Sequence, residues 1–153
     1  MQEAFIHTLS AHRTQIRARW EGFLRVERVN TPLANPDTLV YMFDQTLDDI
    51  FEMLREPPLP GPESVSLKHV SGKNPLIAYF VACEQALLEV LILAQVGTPA
   101  LDPAERAADL AELKRVVRTI AHRDIGTLDG VCRPRKTHAP AARASLDPSH
   151  PEV

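Results

Sequence analysis

The sequence predicts an all-α protein built as a four-helix antiparallel bundle, with a globin-like helical fold as the alternative. Residues 74–96 are rich in good helix formers and apolar almost all round, which is typical of a helix enclosed by others. Three further stretches repeat apolar residues at spacings of three and four, as amphipathic helices do. Proline- or glycine-containing breaks separate the four stretches. Periodicity alone does not distinguish the two topologies.

The first predicted helix covers residues 2–29. Its apolar side repeats every three or four positions and consists of Phe5, Leu9, His12, Ile16, Trp20 and Phe23. The segment Asn30-Thr31-Pro32 ends it, because proline disfavours helix in the residue before it.

The second predicted helix begins at Pro36, with Asn35 as its N-cap, and runs to Arg55. An apolar stripe lines one side, and four acids lie mostly opposite it: Asp44, Asp48, Asp49 and Glu52. Residues 56–73 then hold four prolines and two glycines, which predicts a long loop.

The third predicted helix, residues 74–96, is the centre of the bundle and has two apolar faces. We expect the face with Ile77, Val81, Leu88 and Ile92 to exceed what three neighbouring helices can cover, and an uncovered apolar stripe marks an interface. Glu84 shares that side, and a buried carboxylate needs a partner. We expect an ion pair with Arg13, Arg17 or Arg118; the alternative is a polar spot in a ligand pocket or dimer seam.

The fourth predicted helix has the clearest start in the chain. Asp102 is the N-cap, Pro103 occupies the first helical position, and Glu105 completes a capping box. The apolar pattern continues to about Asp124 or a few residues further. Residues 1–130 are therefore predicted to form the helical domain, and residues 131–153 a disordered, basic, proline-rich tail with four cations against two acids.

Composition excludes several classes of function. A net charge of -3 in 153 residues gives no electrostatic footprint for nucleic acid, and the acids and glutamines of residues 74–96 argue against a membrane span. Cys83 and Cys132 form no metal-ligand spacing, and no catalytic motif is present, so we expect no metal, no cofactor and no enzyme. The first residues lack an apolar signal region, which predicts a cytoplasmic protein.

Three stretches together resemble a known family. IRARWEGFLR (16–25) is similar to the entry helix of the RsbT co-antagonist (RsbRD-type) N-terminal domains of stressosome-related bacterial regulators. The acidic helix YMFDQTLDDIFEML and the long helix NPLIAYFVACEQALLEVL follow as they do in that family. The resemblance covers most of the folded part and implies a helical sensory or interaction module. Family members usually carry an output domain, so its absence here implies a stand-alone sensor or adaptor.

Two hypotheses on function follow. The first is a non-enzymatic helical regulatory module in bacterial signalling that acts through protein–protein contacts, as a homodimer or with a regulatory partner protein. The second is a small-molecule or haem-binding sensor with a pocket between helices. The candidate pocket residues are Trp20, Phe43, Phe80 and Glu84, and the candidate interface residues are Ile77, Val81, Leu88 and Ile92.

Overall fold

The computed structural model describes residues 1–26, 36–56, 74–98 and 101–132. These residues are helical with no β-strand, which confirms the predicted all-α class. The helices are α1 (Glu3–Ala11), α2 (Arg13–Val26), α3 (Pro36–Leu39), α4 (Phe43–Arg55), α5 (Pro75–Val96) and α6 (Pro103–Cys132). A 3-10 turn, Val40–Met42, joins α3 to α4.

The predicted first helix is wrong in one respect, because it is two helices that meet at His12. His12 leaves α-helical geometry, at φ -95° and ψ 17°, while its backbone N–H still donates to Thr8 O at 3.1 Å. Ile16 N–H then donates to His12 O at 3.0 Å. The apolar pattern runs through this position unchanged, so periodicity gave no signal of the break. Residues 27–29 of the prediction lie outside the described residues.

The second predicted helix has the expected ends but not a uniform interior. Its backbone is helical from Pro36, tightens into the 3-10 turn, and continues as α4 to Arg55. The apolar stripe of α4 is buried and the acidic side is turned to the surface, as an amphipathic helix requires. The predicted loop, apart from Glu56, lies outside the described residues.

The ends of α5 follow from local capping chemistry. Asn74 has extended backbone geometry, and its Oδ1 accepts a hydrogen bond from Leu76 N–H at 2.9 Å. Pro75 occupies the first helical position, where its missing N–H costs nothing. The helix ends at Val96, as predicted. Half of an 18-residue apolar stretch within it is buried.

The last helix, α6, begins as predicted and ends later. The Glu105 carboxylate accepts a hydrogen bond from Asp102 N–H at 3.3 Å, which is one half of the predicted capping box. The helix then passes Asp124 and ends at Cys132. The first two residues of the predicted tail are therefore helical, and residues 133–153 lie outside the described residues.

Polar contacts at the helix surfaces fix the direction of neighbouring helices. Glu84 of α5 is bound by Arg118 of α6, and Gln95, later in α5, donates through Nε2 to O of Arg106, earlier in α6, so α5 and α6 are antiparallel. Arg13 binds Asp44 and Asp48, and Arg17 binds Asp44, so ion pairs also join α2 to α4. The shared core draws on all the long helices and includes Leu9, Trp20, Phe43, Leu47, Leu87 and Val117.

Candidate functional site

An aromatic cluster occupies the core where α2, α4 and α5 meet. The Trp20 ring stacks on Phe43 with centroids 4.2 Å apart and planes inclined by 11°. Tyr79 lies 4.6 Å from Trp20 and meets Phe80 edge to face at 5.1 Å. All four side chains are buried. Pairs in these geometries stabilise a core beyond the area they bury.

The polar atoms of this aromatic cluster are satisfied within it. Trp20 Nε1–H donates to Tyr79 O at 2.9 Å, and the Tyr79 hydroxyl shares a hydrogen bond with Thr46 Oγ1 at 2.9 Å. Burial raises the pKa of Tyr79 well above its ordinary value, so its phenol stays protonated. These interactions rigidify the junction and leave its hydrogen-bonding groups occupied.

The structure therefore brings together three of the four predicted pocket residues: Trp20, Phe43 and Phe80. Their rings pack on one another and on Tyr79, which sequence reasoning did not single out although it lies in the apolar run of α5. These contacts are those of a packed core, and the sensor hypothesis stays a prediction.

Glu84, the fourth predicted pocket residue, is bound by an arginine of α6. Both of its carboxylate oxygens accept hydrogen bonds from Arg118, from Nε and Nη2, each at 3.0 Å. The carboxylate side chain is 16% exposed, and its hydrogen bonds raise the pKa of Arg118. Of the three arginines predicted as partners, Arg118 is the right one. This bidentate pair fixes α5 against α6.

Arg13 and Arg17 instead bind the acidic side of α4. Arg13 donates to the Asp44 carboxylate at 2.9 Å and also to Asp48, and Arg17 donates to Asp44 at 2.8 Å. On the other side of α4, Arg123 of α6 binds Asp49. Hydrogen bonds from these guanidinium groups lower the pKa of Asp48 and of Asp49. The acidic side of α4 is thus bound from two helices.

One side of α5 remains open to solvent, and we call it the outer face. It consists of Ala78, Val81, Gln85, Glu89, Ile92, Leu93 and Val96, of which Ala78 and Glu89 are half-buried. Val81 is 49% exposed, Ile92 47%, Leu93 63% and Val96 67%. Large apolar side chains that share one helix face and lie this open are candidates for an interaction surface.

The predicted interface residues divide between this outer face and its edge. Val81 and Ile92 lie on it, whereas Ile77 and Leu88 are partly buried against the core. Sequence reasoning missed Leu93 and Val96, although both fall on the open side by helical phase. Their exposure depends on how the neighbouring helices pack along α5, which phase alone does not reveal.

Other kinds of site have weaker support. The described residues contain no group of three or more His, Cys, Asp or Glu side chains able to hold a metal ion. Leu76–Val96 is long and apolar enough to cross a membrane by length and composition, although core helices of soluble proteins pass the same test. Cys83 is buried, and burial raises the pKa of its thiol well above the ordinary value. The outer face is the strongest candidate that remains.

Comparison with family models, curated proteins and solved structures found no match to this chain. The resemblance to the RsbT co-antagonist N-terminal domains accordingly stays a prediction.

Proposed function

We propose that this protein is a non-enzymatic helical regulatory module of the cytoplasm that acts through protein–protein contact, with the outer face of α5 as its contact surface. The observation that carries this proposal is the exposure of Val81, Ile92, Leu93 and Val96 on one side of a helix whose other side is buried. A soluble protein gains nothing from such a surface unless a partner covers it.

The construction of the outer face suits a protein partner. Its apolar side chains stand on a long, well-packed helix, so little conformational freedom is lost when they are covered. Gln85 and Glu89 interrupt the apolar surface, and Arg19 of α2 lies beside it, 3.7 Å from Glu89. Protein interfaces commonly combine apolar side chains with a few polar groups that form hydrogen bonds to the partner. The resemblance to helical interaction modules points to the same class of function.

The proposal includes a finer description of the architecture. We infer that α1 and α2 act as one kinked helix, which together with α4, α5 and α6 forms a four-helix bundle. The ion pairs between α2 and α4 and between α5 and α6 support antiparallel neighbours. In this arrangement α5 contributes one side to the bundle and keeps the outer face for a partner.

Photo-cross-linking inside cells that express the protein tests the proposed function. A photoreactive benzoylphenylalanine replaces Ile92 in one variant and Tyr41 in a matched control, since Tyr41 is an exposed apolar residue on the 3-10 turn, 87% exposed. We expect illumination to convert the Ile92 variant, but not the Tyr41 variant, into a covalent protein adduct visible by immunoblot. If the folded Ile92 variant and a matching Leu93 variant form no protein adduct, the proposed function is wrong.

A further inference from the structure

We propose that the partner of the outer face is a second copy of this chain, packed through α5 in parallel and in register. This inference rests on the proposed function and specifies its partner. Its evidence is the spacing of a row of residues along that face, one polar residue at the centre of the row, and the charges on its two flanks.

A row of residues along one edge of the outer face has the spacing of a two-helix seam. Ala78, Val81, Gln85, Leu88 and Ile92 follow one another at alternating intervals of three and four residues, with Leu88 at the edge of the face. This is the heptad repeat, which keeps one seam facing a partner helix over several turns. The seam runs for about 21 Å at the helical rise of 1.5 Å per residue. A helix that only completed its own bundle would not need this pattern on the solvent side.

Gln85 indicates how two such seams would align. It is exposed at the centre of the seam, with apolar positions on both sides along the helix. A partner that covers its amide must also supply a hydrogen bond, because an unpaired buried amide costs free energy. Parallel, in-register helices place it against Gln85 of the second copy, and two amides can exchange hydrogen bonds. An antiparallel pair in the register that sets Val81 against Ile92 would place it against Leu88 instead.

The charges beside the seam also complement a second copy. On the α2 side, Glu89 is 39% exposed and has only a loose 3.7 Å ion pair with Arg19. On the α6 side, Arg118 lies beside the seam, and Lys114 lies one turn before it on the same side of α6. A two-fold axis along paired α5 helices brings the α2 flank of one copy to the α6 flank of the other. Glu89 of each copy then faces the basic flank of its partner.

This arrangement also explains why the association would stop at two. The same surface is used on both copies, so a two-fold contact covers both outer faces and leaves no seam open for a third. A lipid surface fits less well, because Gln85 and Glu89 would have to enter it with the apolar residues.

Cysteine cross-linking of the full chain tests the partner and the register together. In a Cys132→Ser background, which retains the buried Cys83, single variants Gln85→Cys and Ile92→Cys are oxidised mildly. Parallel packing places each new cysteine against its own counterpart, within the range that a disulfide spans. We expect both to form disulfide-linked dimers, while Tyr41→Cys, exposed away from the seam, does not. In the antiparallel alternative the two thiols introduced by Ile92→Cys lie about 16 Å apart along the helices, so that variant alone would not link, whereas a mixture of Val81→Cys with Ile92→Cys would.

Sedimentation velocity across a concentration series supplies the second measurement. We expect wild-type protein to sediment as a dimer, Ile92→Glu to raise the dimer dissociation constant about 30-fold or more, and Tyr41→Glu to leave it unchanged. Circular dichroism verifies that each variant is folded.

The outcomes separate this inference from the proposed function. A monomer at all concentrations that still forms an adduct with a different protein through Ile92 overturns the inference and leaves the proposed function in place. Cross-linking in the mixture of Val81→Cys with Ile92→Cys, without cross-linking in Ile92→Cys alone, overturns the parallel register. A monomer that forms no protein adduct but co-sediments with vesicles of phosphatidylcholine and phosphatidylglycerol overturns both proposals.

Discussion

The two sides of α5 have similar hydropathy and opposite environments. The inner side, with Tyr79, Phe80 and Leu87, is buried among side chains of the other helices. The outer side presents Val81, Ile92 and their neighbours to solvent. A hydrophobic side chain is more stable out of water, wherever it lies on the helix. Whether it is buried within this chain depends on whether another helix packs on that side of α5. The comparison separates residues that stabilise the fold from residues available for binding.

The largest effect should come from the aromatic cluster on the inner side. Trp20→Ala removes the ring stacked on Phe43 and the donor to Tyr79 O, and we expect it to lower the free energy of unfolding by about 3 to 5 kcal/mol. Urea denaturation followed by circular dichroism measures this, since the variant has no tryptophan. Tyr41→Ala, at an exposed aromatic position, is the control and should cost under about 1 kcal/mol. Equal costs for the two variants would contradict the buried position of Trp20.

A matched pair of substitutions within α5 compares its two sides directly. Leu87→Ala creates a cavity at a fully buried site and should cost about 2 to 5 kcal/mol of unfolding free energy. Ile92→Ala removes a side chain that is 47% exposed and should cost below about 1 kcal/mol in the monomer. Denaturant unfolding at one protein concentration, below the dimer dissociation constant, checks both. If Ile92→Ala costs as much as Leu87→Ala, the outer face is covered within the monomer.

The smallest effect concerns the acidic side of α4 and depends on pH. The hydrogen bond from Arg123 lowers the pKa of Asp49 in the folded state, so near pH 4 the unfolded chain binds more protons than the folded one. The stability that the Asp49–Arg123 pair contributes is fully present above the pKa of Asp49 in the unfolded chain. It is lost as the pH falls through the lower pKa of Asp49 in the folded protein. We expect Asp49→Asn to cost under about 1 kcal/mol at pH 7, and this cost should disappear toward pH 2. A cost that persists at pH 2 would identify a packing effect instead.

Helix ends defined by local chemistry were predictable from sequence. Asn74 with Pro75, and Asp102 with Glu105, act on backbone groups within a few residues, so the starts of α5 and α6 could be placed. The break at His12 could not be placed, because the apolar repeat crosses it without a proline or glycine.

Which side chains meet across helices was predictable only in part. Helical phase put Glu84 on a side that needs a partner, but three arginines satisfied that requirement equally well. Arg118 is the partner because α6 lies beside α5, whereas Arg13 and Arg17 bind Asp44 of α4. The same limit applies to the outer face: phase placed Val81 and Ile92 on it, but only the packing of the other helices on α5 reveals that the open surface extends to Leu93 and Val96.

The ion pairs of α4 have a consequence for the order in which the chain assembles. Arg13 and Asp44 are 31 residues apart, so a nascent chain can form this contact soon after α4 is synthesised. Arg123 and Asp49 are 74 residues apart, and Asp49 lacks this partner until most of α6 has been made. Contacts between such distant positions form late because a long loop must close first. The N-terminal half can therefore dock early, whereas Asp49 gains its arginine only after the C-terminal helix has been made.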